Sequence, residues 1–93
     1  MTDPYSFNVW SFYFEAMWHG AKLFDVRRMP HPGYIPPLAG SRVFFYETHT
    51  DGVVRTGRAL HVKTSYLLSH DARVIPPEYF VLGWRASDML RSP

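Results

Sequence analysis

The chain reads as a small, mainly β domain of the α+β class, with about five short strands and one helix across a cleft. Three observations predict this. Helix-spaced apolar residues are confined to one early stretch, short β-branched and aromatic runs recur between turn signals, and helix and strand do not alternate as a parallel α/β sheet requires. Exposed edges in so small a sheet favour closure into a barrel. The 93 residues fit one domain, 1–93, and sixteen aromatic side chains can make its limited core efficient.

Stretch 6–19, SFNVWSFYFEAMWH, is dense in apolar residues, and Trp10, Phe14, Met17 and Trp18 recur at helical spacing. With Gly20 as the stop, the spacing predicts a helix packed on the body of the domain. Residues 22–28, KLFDVRR, read as a strand, with Leu23, Asp25 and Arg27 on one face and Lys22, Phe24 and Val26 on the other. Residues 29–41 hold four prolines and two glycines, which predicts a loop, either a lid or a plain connector.

Residues 42–48, the turn signal 49–52 and the long run 53–68 predict a hairpin, with a bulge near Gly57 to reconcile arms of unequal length. In the second arm Leu60, Val62, Tyr66 and Leu68 share the core face, while His61, Lys63 and Ser65 share the other. An irregular loop, 69–78, leads to a closing strand over 79–85 carrying Phe80, Leu82 and Trp84. The tail ASDMLRSP reads as frayed.

Composition narrows the chemistry. There is no cysteine, which excludes a disulfide framework and thiol catalysis and suits a reducing interior. The start, MTDPYSFNVW, lacks a basic leader region, and no segment approaches a membrane span, so the expectation is a soluble cytoplasmic protein without membrane contact. The net charge is only +2, but the cations are eight Arg against two Lys. Arginine forks suit phosphates and base edges and stack on rings, although a solvated surface explains the same composition.

The five histidines, 19, 31, 49, 61 and 70, never fall at a metal-pair spacing, so no metal and no other cofactor is expected. Ser69, His70 and Asp71 are consecutive and cannot align as a triad. No phosphate-cradling glycine motif is present. What remains is GAKLFDVRR, 20–28. Its Lys22, Asp25 and Arg27 stand at a helix-to-strand junction, either as an internal ion pair or as the floor of a cleft, and an acid beside two cations is expected to stay ionised.

Four blocks, YFEAMWHGAKLFDVR (13–27), AGSRVFFYE (39–47), TGRALHVKTSYLLS (56–69) and YFVLGW (79–84), together resemble the small ASCH domains of the PUA-like superfamily, nearest the phage and bacterial branch known as DUF3850. That branch typically carries a Y-F-E-A helix, a G-x-K-x-F-E-x-R strand, and a T-G-R followed by a further strand. The resemblance implies a PUA-like β-barrel with a helix over a cleft, and binding of RNA or a modified base. It places Gly20, Lys22, Asp25 and Arg27 on the cleft pattern, with Asp25 where glutamate is usual and a long Pro-rich 29–38 where a short charged loop is common.

The leading expectation is therefore a binding module for RNA, single-stranded nucleic acid or a modified nucleobase or nucleotide. In it Lys22 and Arg27 meet phosphate or carbonyl, Asp25 accepts from an amino group, and Trp18, Tyr46, Tyr66 or Trp84 stacks on the base. An alternative is an amidohydrolase of N4-acylated cytidine-type nucleosides, an activity of some small ASCH proteins that use a lysine, a threonine and a glutamate. Asp25 stands where that threonine would be, which leaves Lys22, Asp25 and Glu47 as the candidate catalytic set. A further alternative is a phage accessory protein that binds a host protein.

Overall fold

Tyr5, Phe7 and Val9 alternate with Ser6, Asn8 and Trp10, and this period of two, not the helical spacing, governs the first element. The computed structural model describes residues 5–92. Residues 1–4, part of the stretch read for a leader, and residue 93 of the tail lie outside the description. The expected helix over 6–19 divides into strand β1, Tyr5–Trp10, and helix α1, Ser11–Trp18. Apolar density on both sides of the switch hid it. In α1 Phe14 and Met17 are fully buried, as their spacing requires, whereas Trp10 is half exposed. Gly20, at φ 77, ends the turn after the helix, donating its N–H to Met17 O at 3.0 Å.

Among the described residues there are seven strands, β1 included. After β2, Phe24–Arg28, the Pro-rich segment carries neither helix nor strand. It is tied back where Met29 N–H meets Glu78 O at 2.9 Å and where Gly40 N–H meets Ser65 O at 2.7 Å. Strands β3, Val43–Thr48, and β4, Arg55–Val62, form the expected hairpin. Its register shifts between Tyr46 and Thr48, opposite Gly57 at φ 103, so the bulge lies where the sequence placed it.

The long second arm does not stay in one sheet. It bends at Lys63 and Thr64, and β5, Ser65–Leu68, joins β6, Tyr79–Trp84, instead. The bend reverses the facing: Ser65 is fully buried, while Tyr66 and Leu68 point outward, contrary to the core face expected from Leu60 and Val62. The tail is also not frayed. A 3₁₀ turn, Ala86–Asp88, leads into β7, Met89–Arg91, which pairs with β4 and buries Met89.

The strands fall into two sheets, ordered β1-β3-β4-β7 and β2-β6-β5, with β1 parallel to β3 and the other pairs antiparallel. Among the described residues the pairings do not close into a barrel, and there are seven strands where about five were expected. Between the sheets lie Phe45, Leu60, Val43, Val62 and Leu82, all at 0% exposure, with Trp84 against Phe45 at 5.1 Å between ring centroids. Truncating Phe45 in such a core costs about 3–5 kcal/mol. Helix α1 covers one end of the four-stranded sheet and seals it with Phe14 and Met17. No described helix is long and apolar enough to cross a membrane.

Candidate functional site

β1 and β2 are edge strands of different sheets, so each leaves a row of backbone groups without a ladder partner. Where they approach, the side chain of Arg27 spans the gap. Its Nη2 donates to the Asn8 carbonyl at 3.0 Å, its Nε donates to Asp25 Oδ2 at 3.1 Å, and its guanidinium carbon lies 4.7 Å from the Phe7 ring centre. The strand alternation read from the sequence holds: Asp25 and Arg27 project together, and Asp25 is only 5% exposed.

A cleft of about 460 Å³ opens at this junction, lined by Asn8, Trp10, Tyr13, Lys22, Asp25, Arg27 and neighbouring atoms of Val9, Val26 and Arg28. Lys22, Asp25 and Arg27 therefore meet on one concave surface. The Lys22 ammonium lies 4.7 Å from the centre of the Tyr13 ring and 5.3 Å from that of Phe24, within cation–π range. Trp10 and Tyr13, 6.5 Å apart, form an aromatic wall, and both are about half exposed.

Asp25 has unusual electrostatics for an acid flanked by two cations. Burial pushes its carboxyl above the ordinary aspartate value, and Arg27 and Lys22 pull it back only in part. Only Oδ2 takes a hydrogen bond among the described residues. Oδ1 takes none, yet is not sealed from solvent. A desolvated carboxyl oxygen open to a cleft is an acceptor awaiting a donor.

The other expected residues lie elsewhere. Glu47, on β3, is buried under α1 and accepts from Ser11 Oγ at 2.8 Å, from Thr56 Oγ1, and from Arg58 through Nε at 3.1 Å and Nη2 at 2.8 Å. The Arg58 hydrogen bonds above all, with those from Thr56 and Ser11, outweigh burial and hold its carboxyl down to about 2. Arg58 also bonds Glu15 and lies over Trp18, 4.8 Å from the ring. Trp18 packs on Phe14 and is capped by Arg58 and Arg91, so it belongs to this cluster and not to the cleft.

Tyr46 lies on the outer face of the four-stranded sheet with the Arg55 guanidinium 3.9 Å above its ring. Tyr66 borders a shallow notch of about 300 Å³ on the three-stranded sheet, floored by Gly83, and Trp84, 6% exposed, is core. A larger hollow of about 590 Å³ lies beside the Pro-rich loop, between Arg28 and Glu78. Among the described residues no group of three or more His, Asp or Glu is placed to hold a metal ion.

The sequence reading missed Trp10, Tyr13 and Asn8, because the helical spacing consigned that stretch to core. The alternation of Tyr5, Phe7 and Val9 was the available signal, since it sends Asn8 and Trp10 to the opposite face. Comparison with protein-family models and with curated proteins returns no match for this chain.

Proposed function

We propose that the cleft between β1 and β2 binds a nucleobase or nucleotide, free and modified or as part of a nucleic-acid strand. The observation that carries this reading is the meeting of Lys22, Arg27 and the open oxygen of Asp25 beside an aromatic wall of Trp10 and Tyr13. The base stacks on Trp10 or Tyr13. Asp25 Oδ1 accepts from an exocyclic amino group, and Lys22 and Arg28 meet phosphate, with Arg27 held in place by Asn8 and Asp25.

The resemblance to ASCH domains supports the same reading, and within it we propose a PUA-like ancestry and a cytoplasmic location. The geometry favours recognition over hydrolysis. Among the described residues, those lining the cleft include no threonine and no glutamate, and Glu47, ionised and saturated with donors, sits in a separate cluster. A general base with so low a pKa works poorly near neutrality.

Calorimetric titration with the four nucleoside monophosphates and with N4-acetylcytidine tests the proposal, with chromatography of the same mixtures reporting any turnover. Salt-sensitive binding that weakens in Arg27→Ala and in Lys22→Gln is expected. The second variant removes the cation–π contacts with Tyr13 and Phe24 and the attraction to Asp25 but no hydrogen bond, and so leaves the fold intact. Absence of binding, or binding indifferent to both changes, overturns the proposal.

A further inference from the structure

The outer face of the four-stranded sheet carries an ordered row of rings that the cleft does not use. Strand register places Ser6, Phe44 and His61 side by side, with Asn8, Tyr46 and Ala59 in the next row. Phe44 and His61 stack at 4.3 Å and 14°, and Phe44 and Tyr46 lie nearly parallel at 6.2 Å and 21°. Arg55 closes the column, its guanidinium 3.9 Å above Tyr46. Burial, Arg42 and Lys63 together lower the His61 pKa, so the imidazole stacks as a neutral ring.

Cations predominate on this face, with Asp88, whose carbonyl accepts from Lys63 N–H at 2.9 Å, the acid that adjoins its Lys63 corner. Arg42, just before β3, and Lys63, just after β4, both lie close enough to His61 to act on its charge, and Arg55 is exposed at the end of the column. Glu47 points to the opposite, buried side. Asp51, the acid nearest Arg55 along the chain, caps the N–H groups of Val53 and Val54 in the turn.

The column is also joined to the cleft. Asn8 accepts from Arg55 Nε through its side-chain oxygen at 3.2 Å, while its backbone carbonyl accepts from Arg27 at 3.0 Å. Trp10, the cleft wall, lies two residues further along the same face of β1. A path therefore runs from Lys22 and Trp10 over Asn8 and Arg55 to Tyr46, Phe44 and His61, aromatic along its middle and cationic along its borders.

We infer that this face is a second contact surface for single-stranded nucleic acid. With one base in the cleft, the adjoining nucleotide stacks on the Arg55–Tyr46 pair, and its phosphates meet Arg55, Arg42 and Lys63. The inference rests on the proposed use of the cleft and names the occupant more narrowly, as a strand and not a mononucleotide. Every base has a π-face, so stacking of this kind is sequence-tolerant, and a duplex, whose bases are already stacked and paired, is a poor competitor.

The test compares a nucleoside monophosphate with single-stranded octanucleotides of RNA and of DNA, and with a duplex of the same length, on wild type, Arg27→Ala, Tyr46→Leu and Arg55→Gln. Circular dichroism confirms folding, and Arg55→Gln, at an exposed site, guards against loss of fold in Tyr46→Leu. Octamers are expected to bind roughly tenfold or more tighter than the monophosphate, with log affinity falling against log salt at a slope of about −3.5 for five phosphate contacts, two in the cleft and three on the sheet. Tyr46→Leu and Arg55→Gln should erase the octamer advantage and spare monophosphate binding.

An octamer that binds no tighter than the monophosphate, or an advantage that both sheet variants keep, overturns the second surface and leaves the cleft standing. An octamer advantage lost in the sheet variants but indifferent to Arg27→Ala upholds the surface and overturns the cleft. Binding by neither probe overturns both. The RNA and DNA arms decide whether a 2′-hydroxyl contributes.

Discussion

Two buried carboxylates, Asp25 and Glu47, each face an arginine, yet their proton affinities move in opposite directions. Glu47 receives hydrogen bonds from Ser11, Thr56 and twice from Arg58, and its pKa falls to about 2. Asp25 receives one, from Arg27 Nε, and burial raises its pKa. Both carboxylates have a cation; at Asp25 desolvation outweighs its one donor, whereas at Glu47 the Arg58 hydrogen bonds, with those from Thr56 and Ser11, outweigh desolvation. A saturated carboxylate is finished as structure; it fastens α1 to β3 and β4. An undersupplied one beside an open cleft still has a hydrogen bond to make, and for that reason Asp25, not Glu47, marks the site.

The largest effect that sharpens this contrast belongs to Glu47. Replacing it with alanine strands Arg58, Ser11 and Thr56, and should cost about 3 kcal/mol in urea unfolding while the folded fraction still binds ligand. Its acid titration has a defined sign. A folded pKa of about 2 against an ordinary 4.5 gives stability that is fully present above about pH 4.5 and drains away as pH falls toward 2. Glu47→Gln should flatten that part of the pH–stability curve.

Arg27→Ala follows. Loss of its charged contacts should weaken ligand binding by roughly 10- to 100-fold, measured by calorimetry. Trp10→Ala comes next, costing about 1–3 kcal/mol of binding through lost stacking with little change in the unfolding midpoint, because the ring is half exposed. Trp18→Ala should do the reverse, since that ring is packed on Phe14 beneath Arg58.

The smallest effect on stability is expected at Asp25. A raised carboxyl pKa means that ionisation of Asp25 works against the fold as pH climbs above 3.8. Asp25→Asn removes that charge and keeps an oxygen for Arg27, so neutral-pH stability should change by less than about 1 kcal/mol or rise. A large loss of stability in Asp25→Asn would place Asp25 with Glu47 as a structural anchor.

What the sequence disclosed follows the same division between local and distant causes. The alternation of 22–28 is a local property, and it correctly set Asp25 beside Arg27; the HTDG turn and Gly57 likewise located the hairpin and its bulge. The parallel pairing of β1 with β3, the docking of β7 on β4 and the crossing of β5 to the second sheet depend on partners far along the chain, which single-residue patterns do not name. Tyr66 was misplaced because the bend at Lys63 and Thr64 reverses its parity. Glu47 entered the candidate set by residue type alone, and only its four donors identify it as structural.

The central claim is that Asp25 and not Glu47 serves a ligand. Titration of Asp25→Asn and Glu47→Gln with the same nucleotide, at a temperature where both are folded, tests it most directly. The expected result is wild-type affinity in Glu47→Gln and a loss of roughly tenfold or more in Asp25→Asn. Wild-type affinity in Asp25→Asn with binding lost in folded Glu47→Gln would contradict it.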